Sequence, residues 1–123
     1  MCPCGSGHAF STCCAPYLSG AATPPTAEAL MRSRYTAFTL QNAAYLKATW
    51  HPSTRPANLN LTDQADTKWL GLTIKHHEVI DADHARVEFV ARYKLNGRAH
   101  RLHEISRFER IEERWLYVDG DLR

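Results

Sequence analysis

The chain has 123 residues, 44% of them hydrophobic and 23% charged, with a formal net charge of +2. That length suits one ordinary domain with a real core, and six Gly and six Pro are too few for a disordered or collagen-like chain. No apolar run approaches the roughly 20 residues of a membrane span. Residues 61–123 mix eleven Lys/Arg with twelve Asp/Glu, so the electrostatic footprint of a nucleic-acid binder is absent.

All four cysteines lie within the first fourteen residues, as Cys2-Pro3-Cys4 and Cys13-Cys14. None remains to staple the body, and Cys-x-Cys or adjacent Cys-Cys pairs are poor partners for unstrained disulfides. Met1 abuts Cys2 with no signal-like stretch before it, so a reducing cytoplasm is expected. There, a tight cysteine cluster points to a metal rather than to bridges. Four thiolates from Cys2, Cys4, Cys13 and Cys14 meet the tetrahedral demand of a closed structural Zn²⁺ site and leave no open position for a catalytic water. Gly5, Ser6 and Gly7 allow the tight positive-φ turn that such a segment needs, Phe10 can cover the sulfurs, and His8 reads as exposed. Zinc with four cysteinates carries a local charge of about −2, which brings the whole chain close to neutrality.

The run Cys2-Pro3-Cys4-Gly5-Ser6-Gly7, with Phe10 and Cys13-Cys14, resembles the SEC-C motif, the zinc-binding tail of the SecA preprotein translocase motor. In that motif the last ligand is often His, and Cys14 stands in its place here as a common variant.

Residues 15–25, with Pro16, Gly20, Pro24 and Pro25, read as a linker between a zinc knuckle over 1–20 and a domain over 24–123. A helix is predicted from Thr26, the N-cap, with Glu28 near its positive end. Ala27, Leu30, Met31, Arg34 and Phe38 share its inner face, while Arg32 and Ser33 fall outside. A second helix is expected over 41–49, with Tyr45 and Leu46 buried, ending at His51-Pro52. A short third helix is expected from Thr62 to about Lys68, and from Trp69 onward the pattern is sheet.

Residues 84–95 alternate strictly, and Asn96-Gly97 is the strongest two-residue hairpin signal. With that loop, Leu95 opposes Arg98, Tyr93 opposes His100, Ala91 opposes Leu102, Phe89 opposes Glu104 and Val87 opposes Ser106. A second turn at Glu112-Glu113 sets Phe108 opposite Tyr117 and Ser106 opposite Asp119. One face then carries an apolar core together with Glu104, Ser106 and Asp119. Carboxylates on a core face are expensive unless paired or solvated, and Arg34 is the expected counter-ion. The result is a curved sheet wrapped around helices, with a polar pocket at one end.

This α+β pattern matches an NTF2-like cone, N-terminal helices packed on a curved antiparallel sheet of about four strands. With the knuckle, the segment Thr26-Ala27-Glu28-Ala29-Leu30-Met31-Arg32-Ser33-Arg34-Tyr35-Thr36-Ala37-Phe38 resembles the YchJ-like family. So do Tyr45-Leu46, Thr49-Trp50-His51-Pro52, Trp69-Leu70-Gly71-Leu72 and Trp115-x-Tyr117-x-Asp119-Gly120. Some members carry a second cysteine knuckle C-terminally, whereas the cysteines of this chain end at Cys14. The resemblance implies a zinc-binding, NTF2-like, cytoplasmic bacterial protein and carries no reaction with it.

Two functions follow as expectations. In one, the molecule is a binding or adaptor protein whose knuckle docks a protein partner or serves as a structural cap of the N-terminus. In the other, the cone is the polar pocket of a small-molecule binding protein or enzyme, lined by Arg34, Tyr35, Glu104, Ser106, Tyr117 and Asp119. The same groups read alternatively as a buried ion-pair network that fixes helix against sheet. The arginines of the outer sheet face are interrupted by Glu88 and Glu109, so a nucleic-acid role is not expected. Nor is a catalytic residue singled out, and the chain is expected to be a monomer or weak homodimer.

Overall fold

The computed structural model of the protein describes residues 1–57, 59 and 66–123. After a turn of 3₁₀ helix at Phe10–Thr12 come helices α1 (Ala15–Ser19), α2 (Ala27–Thr39) and α3 (Ala43–Ala48). Strands β1 (Thr67–Asp81), β2 (His84–Leu95), β3 (Arg98–Ile111) and β4 (Arg114–Leu122) follow as one antiparallel meander in chain order.

Helix α2 starts where predicted, because Thr26 Oγ1 accepts a hydrogen bond from the Ala29 N–H at 3.0 Å. It stops before Gln41, whose φ of 56° cannot continue a right-handed helix. Ala27, Leu30, Met31, Arg34 and Tyr35 are buried along its inner face. Ser33, expected outside, is buried too. Its hydroxyl lies 2.8 Å from the Leu30 carbonyl and 2.7 Å from Tyr45 Oη, because α3 folds back over that side of the helix. The 15–25 segment is not all linker, since α1 occupies its first half, with Pro16 at its start and Gly20 at φ 85° beyond its end. Of the helix expected from Thr62 to about Lys68, residues 62–65 lie outside the described residues, and Thr67 and Lys68 already belong to β1.

Asn96 and Gly97 adopt φ of 52° and 79°, the left-handed pair of a type I′ turn, and the β2–β3 register follows as predicted, with Phe89 opposite Glu104 and Val87 opposite Ser106. The curvature comes from β1. Leu70, Lys75 and Ile80 are each extra to the ladder, so fifteen residues of β1 lie against twelve of β2. Three bulges on one edge strand bend the sheet around α2.

A bulge at Val118 overturns part of the expected β3–β4 register. Phe108 faces Tyr117 as predicted, but the next pair is Arg107 with Asp119, and Ser106 faces Gly120. The extra residue inverts the alternation beyond it. Asp119 therefore lies on the outer face, ion-paired to Arg107 Nε at 2.5 Å, and not beside Ser106. The Val118 carbonyl, displaced from the ladder, accepts a hydrogen bond from Thr54 Oγ1 at 2.6 Å.

The core joins Leu30, Met31 and Tyr35 of α2 to Leu72, Val87, Phe89, Ala91, Phe108 and Trp115 of the sheet. Each buried Leu, Val, Met or Phe side chain of this cluster contributes about 1.5–3 kcal/mol. Cys2, Cys4 and Cys14 belong to this same cluster, so the knuckle is part of the core. Gly5, at φ 79°, lies against the β1 backbone, where a Cβ would come within 3.0 Å of the Leu72 carbonyl oxygen. The outward register makes a simple prediction. Asp119→Ala, an exposed ion-pair deletion that leaves Arg107 its bond to Asp121, costs less than about 1 kcal/mol in urea unfolding. A loss of several kcal/mol would place that carboxylate inside.

Candidate functional site: a four-thiol cluster and a polar cavity

The four cysteine sulfurs all lie within 4.8 Å of one another. Cys4 Sγ is 3.6 Å from Cys13 Sγ, and Cys13 Sγ is 4.0 Å from Cys14 Sγ. Sulfurs at about 2.3 Å from a tetrahedral ion stand about 3.8 Å apart, so the cage has the size a metal of that geometry requires. The surroundings supply polar contacts to sulfur. Ser6 Oγ is 3.1 Å from Cys13 Sγ, and Thr36 Oγ1 is 3.4 Å from Cys14 Sγ and 3.8 Å from Cys2 Sγ. Arg32, expected on the outer side of its helix, turns to the knuckle instead and donates from Nη1 to the Cys4 carbonyl at 2.9 Å. Arg32 and Thr36 are one turn apart on α2, so a single helical turn grips the cluster.

The electrostatics of the cage favour a cation. Hydrogen bonding from Cys14 pushes the Cys4 thiol down, and the same interaction pushes Cys14 up. Cys4 therefore gives up its proton readily, and the charge it leaves helps hold the protons of Cys13 and Cys14. A bound cation favours the thiolate form of such a cluster. The residues fit a tetrahedral, sulfur-loving metal ion: Cys2, Cys4, Cys13 and Cys14 would hold it, and it would supply a cross-link.

On the far side of α2, a cavity of about 200 Å³ opens against the concave face of the sheet. It brings together Arg34, Tyr35, Glu104, Ser106 and Tyr117, five of the six residues the sequence singles out, and excludes Asp119. Phe38, Trp50, Trp69 and Phe89 complete most of the wall. Trp50 arrives by a route that strand and helix periodicity cannot show. The Tyr117 N–H donates to the Thr49 carbonyl at 2.8 Å and the His51 N–H to the Tyr117 carbonyl at 2.7 Å, pinning the end of α3 to β4. A large aromatic side chain in the polar stretch after a helix is the signal that could have pointed to it.

Arg34 is only 3% exposed. Its Nη1 donates to the Leu46 carbonyl at 2.8 Å and to Thr49 Oγ1 at 2.6 Å. The guanidinium carbon sits 4.6 Å from the Tyr117 ring centre and 5.0 Å from that of Trp50. Burial pushes its pKa down to about 10, so it stays charged at neutral pH. The expected ion pair with Glu104 is not made: among the described residues no carboxylate comes within 4.0 Å of Arg34. Two aromatic faces and two neutral acceptors stabilise the cation in place of a counter-charge.

Glu104 Oε2 instead accepts from the Ser106 hydroxyl at 2.5 Å. Gly120, across the ladder from Ser106, is what makes room for it, because a methyl group there would overlap the Glu104 carboxylate. Burial also pushes the phenols of Tyr35 and Tyr117 up to about 12, so both remain neutral hydrogen-bonding groups. A larger, more open cleft of about 500 Å³ lies between α1, α3 and Trp115, with Arg114 its one charged lining residue among the described residues.

These features define a small NTF2-like cone built around an N-terminal cysteine cluster. Residues 26–120 match the YchJ middle NTF2-like domain, and residues 1–16 match the SEC-C motif. A UPF0225 protein of Cupriavidus metallidurans is 59% identical over 99% of this chain and 89% of its own length. One from Ralstonia nicotianae is 56% identical over 98% of this chain and 90% of its own. The chain belongs to this YchJ, or UPF0225, family. The solution structure of a SEC-C motif containing protein from Rhodopseudomonas palustris superposes with a TM-score of 0.90 at 31% identity, covering 98% of this chain and 96% of that one. A crystal structure of a SEC-C motif containing protein from Psychrobacter arcticus gives 0.81 at 28% identity, over 100% and 82%.

The Arg34 environment is testable. Arg34→Lys keeps the charge but loses the planar contact with two rings and one of the two Nη1 bonds. It lowers stability by about 2–3 kcal/mol in denaturant unfolding. A change under about 0.5 kcal/mol would mean that the guanidinium is not held by those contacts.

Proposed function

We propose that this protein is a zinc-stapled, small-molecule-binding domain of the bacterial cytoplasm, with the cone as its binding compartment. The observation that carries the reading is Arg34: a 3%-exposed cation lining a cavity of about 200 Å³ whose wall also holds Glu104, with no ion pair between the two. A purely structural arginine would be expected to close on the carboxylate. Held apart, the two groups leave a space with a donor side and an acceptor side between aromatic walls, as small-molecule sites have. Binding is favoured over catalysis because Ser106, the hydroxyl beside the Glu104 carboxylate, has no exposed surface from which to attack a substrate. Zinc suits the cluster because four thiolates in a closed tetrahedron match its ligand and geometry preferences, and its role there is structural.

A second reading, docking of a protein partner on the knuckle, is favoured by one feature. A groove of about 390 Å³ runs beside the half-exposed Cys13, bordered by Ser6, His8, Tyr17 and Arg32. His8→Glu alters that groove without touching a sulfur, and a partner bound through the knuckle is lost from pull-downs made with that bait. An unchanged set of partners would remove the groove from the function.

Two measurements test the main reading. Protein purified under reducing conditions carries about one zinc per chain by elemental analysis, and Cys4→Ser loses it. Metal-free wild-type protein that remains folded would contradict the staple. For the compartment, Leu102→Trp fills one wall of the cavity. Small aromatic fragments that bind the wild-type protein in ligand-observed NMR lose their signal with this variant. Fragment binding that survives the filled cavity would place any small-molecule site elsewhere.

A further inference from the structure

Resting on the pocket reading above, we propose that the cavity takes a flat, uncharged, single-ring heteroaromatic molecule whose edge presents an N–H beside a C=O, as a lactam does. Size is the first constraint. A dry cavity of about 150 Å³ accommodates benzene, so the 200 Å³ here holds one six-membered ring with a small substituent. The walls set the shape. Trp69 stands edge-on to Tyr35, with ring centres 5.7 Å apart at 76°, and tilted against Phe38 at 5.9 Å. Ring faces and edges of this kind select a flat π-system.

Polarity is the decisive constraint. Arg34 has protein acceptors for Nη1 alone; among the described residues, Nε and Nη2 have none. Glu104 has the Ser106 hydroxyl on Oε2, and among the described residues no donor reaches Oε1. One side of the cavity thus offers unused donors and the other an unused acceptor, separated by more than ion-pair distance. An anionic ring satisfies Arg34 but is repelled by Glu104, and a cationic ring meets the reverse conflict. A plain hydrocarbon supplies no partner for Nε and Nη2 of Arg34 or for Oε1 of Glu104, which is costly where they lie out of water. A lactam edge presents its carbonyl to the guanidinium and its N–H to the carboxylate, with no net charge to bury.

The experiment uses the full-length, metal-loaded chain and three probes of nearly equal size: α-pyridone, benzoate and toluene. Affinities are measured by ligand-observed NMR titration for the wild type and Glu104→Gln, a near-isosteric change at a half-exposed position. Wild-type protein binds α-pyridone saturably and about tenfold or more tighter than benzoate. Glu104→Gln weakens α-pyridone about tenfold, because a charge-assisted hydrogen bond becomes a neutral one. The same change tightens benzoate by removing the repulsion and leaves toluene unchanged. Benzoate binding the wild type as well as α-pyridone, or affinities that ignore Glu104→Gln, would overturn the proposal. Toluene binding as tightly as α-pyridone overturns the ligand class while the pocket reading stands. If none of the three binds, the pocket reading itself falls, and this inference falls with it.

Discussion

The contact between one turn of helix α2 and the four-sulfur cluster is the constraint on which the rest of the structure depends. Thr36 touches Cys2 and Cys14 through its hydroxyl, and Arg32 ties the Cys4 backbone. The opposite side of the same helix presents Met31, Arg34 and Tyr35 to the cavity. The helix is a wall shared by the cluster and the cavity. Magnitudes show why this matters. Structural zinc in small domains contributes about 10–16 kcal/mol of apparent binding free energy, whereas a whole domain is stable by only about 5–15 kcal/mol. With Cys2, Cys4 and Cys14 inside the main core, a metal held by them would stabilise the entire fold and not its first twenty residues alone.

The second organising feature is a buried cation without a counter-ion. Removing a charge from water is costly, and a carboxylate in contact is the common remedy. Here Trp50 and Tyr117 present ring faces to the guanidinium while Leu46 and Thr49 accept from one of its nitrogens. All four partners come from the α3 end and from β4, segments joined by the short bridge between Trp50 and Tyr117. The arrangement keeps Arg34 charged and oriented while leaving Glu104 to its own partner, Ser106, in the space cleared by Gly120.

Local chemistry made much of this legible beforehand. The cysteine spacing announced a single metal-sized cluster, Thr26 marked the start of α2, and Asn96-Gly97 set a register that held along the whole of β2 and β3. Counting from that turn put Glu104 and Ser106 on the inner face. The counting failed at Val118 because a bulge is one residue whose insertion leaves no mark in an alternating pattern; Val118 is as ordinary a strand residue as its neighbours. Strict alternation therefore places Asp119 on the inner face, where the structure has Gly120. Ser33 and Arg32 depart from the periodicity for a different reason. Helical periodicity tells which residues share a side, but α3 and the knuckle cover flanks of α2 that a two-layer picture leaves in solvent. Trp50 depended on a bridge between segments 67 residues apart in sequence, beyond the reach of any local rule.

Hydrogen exchange of the backbone amides, followed while a chelator strips the metal, tests the shared-wall account most directly. If the cluster is part of the core, amides of α2 and of β1 around Leu72 lose protection in step with those of the knuckle. Exchange that accelerates only in residues 1–20, with α2 and the sheet still protected, would show the knuckle to be a separable appendage and would contradict the account.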